Sequence, residues 1–224
     1  MASAKNVGRA LGGLLLVQVV IGSTVNFGLL GPAITGPEGF LTNAAQYPER
    51  IALAALLLIA GGFISVGIAA AVFPVFDRYS RRAVLAYIAL SAAGLALSAV
   101  EASTIMSMLT VSQQYVNASG DDARQIELLG NAVRYARHWA HYPHLLVGSG
   151  TLLLVYGVLF RFRLVPRLIT AIGMATIVLQ LIGLSMPFFG YRVNFYLLTP
   201  MGICHIVLSL WLVARGFAGD EPEG

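Results

Sequence analysis

Long apolar stretches, broken by short polar segments that carry arginine, set the pattern of this chain. Runs of about 20 apolar residues are long enough to cross a ~30 Å hydrocarbon layer as a helix. Six such runs occur: approximately Ala10–Leu30, Ile51–Phe76, Ala83–Leu109, Tyr142–Phe160, Leu168–Phe189 and Leu197–Phe217. The pattern predicts helices throughout. Two long connections separate them. Gly31–Arg50, punctuated by Pro32, Pro37 and Pro48, reads as an irregular cap. Asn117–His141 differs: Ile126, Leu129, Val133, Ala136 and Ala140 recur at helical spacing after a capping candidate at Asp121. This predicts an amphipathic helix that lies on the outer surface or extends the fourth span, with Trp139 and Tyr142 at headgroup level.

Composition makes the bilayer the natural solvent. Hydrophobic residues are 58% of the 224, charged residues only 11%, and mean hydropathy is +0.79. The fold class that follows is all-α: a polytopic six-helix transmembrane bundle with an external amphipathic helix, in a single integral membrane domain over residues 1–224. The first run is too long for a signal-peptide core and reads as a signal anchor. Cys204 is the lone cysteine, which excludes an intramolecular disulfide.

Charge sets the expected orientation. Lys5, Arg9, Arg78, Arg81, Arg82, Arg161, Arg163, Arg167 and Arg215 fall on one side, nine of fourteen basic residues. The other side has Arg50, Arg124, Arg134, Arg137 and Arg192, diluted by Glu38, Glu49, Asp121, Asp122 and Glu127. The positive-inside bias then places both termini in the cytoplasm. With no basic domain outside the membrane, the net charge of +4 gives no nucleic-acid site.

Polar groups within the apolar runs need an account. Ser91, Gly94, Ser98 and Glu101 share one face of the third span. An ionised carboxylate facing lipid costs about 2.5–3.5 kcal/mol on the lenient insertion scale, so this face should turn toward other helices. Glu101 lies about 27 Å along the helix from Ala83, in the outer half, and His205 about 12 Å inside the last span. His144 sits near the outer end of the fourth span, and Asn26 near the end of the first. Glu101, Ser98, His144, His205 and Asn26 are therefore the ligand-binding candidates, around one outer-half cavity or a hydrogen-bonded packing cluster. A Glu with two His can bind a metal, relay protons or act as general acid and base, but these come from separate helices without a ligand-spacing motif. No metal site or cofactor is predicted, and no catalytic residue is assigned. Arg134–His144, with His138, His141 and His144 at three-residue steps, reads as a solvated aromatic and cationic collar.

Small residues at four-residue spacing, Gly8 with Gly12, Gly61 with Ser65 and Gly94 with Ser98, favour close helix packing within the chain over a dimer seam. The functional reading is a non-enzymatic membrane protein that binds or passes a small molecule or lipid. A membrane-embedded enzyme or haem/metal protein using Glu101 and the histidines is one alternative. The other is an accessory subunit with a homo-oligomeric or membrane-complex partner.

Phe73-Pro74-Val75-Phe76-Asp77-Arg78-Tyr79-Ser80, Leu109-Thr110-Val111-Ser112-Gln113-Gln114-Tyr115-Val116 and Arg161-Phe162-Arg163-Leu164-Val165-Pro166-Arg167 resemble the bacterial domain-of-unknown-function 4386 family. The resemblance covers most of the chain. It implies a compact multi-pass membrane protein of unassigned activity. In that family an Arg and a Glu often stand three residues apart in the third span; here Ser91 and Gly94 occupy those positions, and the acid is Glu101.

Overall fold

A computed structural model describes residues 3–35 and 39–218; Pro37 and Glu38 of the first connection lie outside them. The described residues are helical, with no strand. The first span, Ala4–Ile34, joins α1 (Ala4–Ser23), a π-helical segment (Thr24–Leu30) and α2 (Gly31–Thr35). Then come α3 (Phe40–Gln46), α4 (Pro48–Tyr79), α5 (Arg81–Tyr115), α6 (Gly120–Arg161), α7 (Arg167–Ser185) with a 3₁₀ turn at Met186–Phe189, and α8 (Phe195–Arg215). Six of the described helical segments are long and apolar enough to cross a membrane. Their outward apolar side chains, such as Leu56, Phe63, Leu168 and Ile203, suit contact with lipid.

Two expectations are sharpened. The first connection is an irregular cap only in part, because α2 and α3 occupy much of it. Pro48 opens α4, standing in its first turn where the missing N–H has no intrahelical partner to lose, whereas Pro32 lies within the continuous helical first span. The amphipathic segment is no separate element. It forms the first half of α6, a continuous helix of 42 residues and about 63 Å.

The chain divides into two compact units. The first comprises Met1–Val19, Ile64–Gly94 and Leu145–Gly224. Its core gathers Leu11, Ile68, Phe76, Tyr156, Leu159, Ile177, Leu208 and Phe217. Glycines set its closest approaches. A Cβ on Gly8 would strike the backbone of Phe217, and one on Gly12 would lie 2.7 Å from both Leu212 Cβ and the Ser209 carbonyl oxygen. The Gly8/Gly12 pair thus serves packing of α1 on α8 within the chain. Gly173 makes room for the Tyr156 ring, and Gly183 for Leu198 where α7 meets α8. Gly216 ends α8 at φ +72°, a conformation L side chains rarely adopt, and its Cβ position is filled by the Lys5 carbonyl. The Leu164 carbonyl accepts the Ala218 N–H at 2.9 Å, fixing the loop before α7.

The second unit comprises Val20–Phe63 and Leu95–His144. Val25, Leu30, Ala33, Ala44, Ile51, Ala54, Ile105 and Leu109 form its apolar cluster. Here Gly62, rather than Gly61, meets α5: its Cβ would lie 2.6 Å from Ser98 Oγ. Gly130 of α6 receives Leu41 and Phe40 of α3, and Ser112 Oγ donates to the Leu41 carbonyl at 2.7 Å.

Gly12→Ile is expected to lower unfolding stability in detergent by about 1–3 kcal/mol through overpacking. Gly13→Ala, with open space at its Cβ inside α1, should be neutral to stabilising by up to about 1 kcal/mol. Thermal unfolding of the two purified variants checks this.

Candidate functional site

Burial on α6 follows the apolar stripe read in the sequence only in part, at Ile126, Val133 and Ala140. Leu129 and Ala136 are exposed, whereas Gly130, Val133, Arg137, Ala140, His141 and His144 are buried or half-buried. Arg137, His141 and His144 stand at i, i+4 and i+7, the spacing that keeps three side chains on one helical face. That face meets α5 at Glu101.

Glu101 is 1% exposed. His141 Nδ1 lies 2.7 Å from its Oε1 and His144 Nδ1 2.8 Å from its Oε2. Arg137 Nη2 adds an ion pair to Oε1 at 3.5 Å. An ionised carboxylate only accepts hydrogen bonds, so both imidazoles must carry a proton on Nδ1 and donate it. When neutral, each ring then holds a bare Nε2 on its far edge. The accessible parts of the cluster are the basic groups: Arg137 and His141 side chains are 19% exposed and His144 23%. Arg137 Nε is buried without a hydrogen-bond partner, a loss worth about 1–3 kcal/mol in such groups. Pro143, inside α6 between the two histidines, has no N–H to give the carbonyl of Trp139, which removes one rung of the helix at the cluster.

The remaining candidates stand apart from this set. Ser98 is fully buried, but its hydroxyl donates to the Leu95 carbonyl at 2.8 Å and its side chain abuts Gly62. Asn26 lies in the π-helical segment, and its Nδ2 donates to the Gly22 carbonyl at 2.9 Å. Gly94 has open space at its Cβ position, and Ser91 Oγ is buried without a partner. His205 belongs to the first unit and is not among the hydrogen-bond or ion-pair partners of Glu101; its Nδ1 is buried and unbonded. Among the described residues no group of three or more His, Cys, Asp or Glu is arranged to hold a metal ion.

The expected collar at Arg134–His144 splits into two faces. Tyr135 and Trp139 are exposed, Arg134 stacks over Tyr135 at 5.4 Å, and His138 packs edge-on against Trp139 and Tyr142. Arg137, His141 and His144 face Glu101 instead. Composition alone does not separate the faces, whereas the 137/141/144 spacing does. The sequence reading places Arg137 and His141 in the collar rather than among the ligand-binding candidates.

An open groove of about 690 Å³ lies between the end of α5 and the start of α6, lined by Gln113, Gln114, Asn117, Asp122, Gln125 and Ile126 among others. Its amides both donate and accept, and only Asp122 among these residues brings charge.

Removing one partner of a buried charge cluster leaves the others unpaired, at a cost of about 3–5 kcal/mol. Glu101→Ala should therefore destabilise the protein by that amount, whereas His205→Leu, which removes an unbonded buried nitrogen, should be neutral or stabilising. Denaturant titration of both variants checks the contrast.

No curated protein and no solved structure matches the chain. The family described as Domain of unknown function (DUF4386) matches residues 10–216. The chain, with its six candidate membrane spans, is a member of that family of unknown function.

Proposed function

We propose that this protein binds, or passes, a small molecule or lipid at the polar cluster around Glu101, in the outer half of a bacterial inner membrane with both termini in the cytoplasm. The observation that carries the reading is one buried carboxylate orienting two imidazoles and a guanidinium, all from one face of α6. Glu101 itself is the positioning residue. Its oxygens already accept the two histidines, so a ligand would meet His141, His144 and Arg137, the partly exposed members. The orientation rests on the nine-to-five division of basic residues and the position of Glu101 along α5. Intramolecular use of Gly8, Gly12 and Gly62 supports a self-contained protein over one whose small-residue faces await a partner.

Native mass spectrometry of protein extracted gently from membranes tests the binding. The parent chain should retain a small-molecule or lipid adduct that Glu101→Gln loses while still eluting as a folded, helical protein. A parent chain with no adduct, or a folded variant with the same adduct, would contradict the reading. Should Glu101→Gln not fold, Arg137→Lys keeps the charge and replaces the guanidinium; it should weaken retention of the adduct.

A further inference from the structure

We infer that the ligand is an oxyanion, the phosphate of a lipid headgroup or a free anion of the same chemistry, and that it binds together with protons taken up by His141 and His144. The inference rests on the proposed binding role of the Glu101 cluster and names its chemistry.

With Glu101 ionised, Arg137 cationic and both histidines neutral, the four side chains sum to zero. Each Nδ1 is engaged by the carboxylate, so an added proton can enter a ring only at Nε2. Neither Nε2 has a protein hydrogen-bond partner among the described residues. Protonation of both rings makes the cluster a dication and turns two acceptor edges into donors. The only acid in it is 1% exposed and already engaged by His141, His144 and Arg137, so an entering ligand meets cationic donors and no competing carboxylate. Oxyanions are the chemistry that such a fork of N–H groups recognises.

The surroundings add no opposing charge. On α6, the Tyr142 ring packs edge-on against His141 at 5.6 Å, and Arg134 and His138 are the nearest basic groups outside the cluster, with His138 interacting electrostatically with His141, Arg137 and Arg134. On α5, Glu101 is the only charged residue between Arg82 and the helix end. The acids at the start of α6, Asp121, Asp122 and Glu127, lie ten or more residues before Arg137, about 15 Å or farther along the axis. In α3 and α4 of this unit the charged residues are Glu49 and Arg50, with Arg50 stacked over Tyr47 at 4.8 Å. None of them pairs with the cluster among the described residues.

Sulfate and dioctanoyl phosphatidylglycerol keep a constant charge near neutrality and serve as probes for delipidated full-length protein in maltoside detergent. Binding of at least one should be about tenfold tighter at about pH 5.5 than at about pH 8, a coupling within the usual range for linked sites. Sulfate binding identifies a free anion as the source, and binding of the phospholipid alone identifies a lipid headgroup; either supports the inference. Equal affinity at the two pH values, or binding of neither probe, overturns it. An adduct found by native mass spectrometry without this pH dependence would overturn the oxyanion inference while leaving the binding role intact. His141→Gln with His144→Gln keeps amide donors for Glu101 but cannot titrate, and should bind weakly at both pH values. If that double variant does not fold, ¹⁵N-histidine spectra of the parent chain give the same decision. Probe addition at low pH should shift His141 and His144 and leave His205 unmoved; the reverse pattern overturns the inference.

Discussion

A carboxylate inside a lipid-solvated protein has no water to fall back on, and the second unit is organised around meeting that need. Glu101 is 1% exposed on α5, and α6 supplies Arg137, His141 and His144 from a single face to surround it. Isolated, such a charge would cost several kcal/mol; joined to a cation and two donors, it becomes tolerable and fixes how α5 and α6 meet. The same contacts select a ring tautomer, because a carboxylate can only accept. Position and protonation chemistry therefore come from one interaction.

Around this cluster, packing follows the rule for helices in lipid: small residues permit approach where the hydrophobic effect gives no drive. In the second unit Gly62 admits Ser98, one turn before Glu101, and Gly130 admits Leu41 and Phe40. In the first, Gly8 and Gly12 seat α1 on α8, and Gly173 seats Tyr156. Stretches resembling the family also serve packing in this structure. Phe76 lies in the first core, Ser112 ties α5 to α3, and the Leu164 carbonyl receives Ala218. None of those three stretches contains Glu101 or its partners.

The all-α architecture and six spans are legible in the sequence because each depends on a run of some twenty apolar residues, a signal summed over many positions. Glu101 and His144 are legible as misfits within such runs. Arg137 and His141 are harder to see, since an arginine and a histidine near a span end satisfy the ordinary expectation for a headgroup collar. The covered stripe of α6 keeps Ile126, Val133 and Ala140 of the apolar series, drops Leu129 and Ala136, and takes in Gly130, Arg137, His141 and His144. Hydrophobic periodicity finds buried faces only when those faces are apolar, and this one buries charge.

Glu101 orients two imidazoles through Nδ1, which in the proposed binding role leaves both Nε2 edges for ligand and proton. ¹⁵N spectra of histidine-labelled protein at about pH 8 read the tautomers directly. His141 and His144 should both carry the proton on Nδ1, and Glu101→Gln should disturb those two signals while sparing His205. Protonation on Nε2 in either ring of the parent protein, or signals from His141 and His144 indifferent to the loss of the carboxylate, would contradict the account.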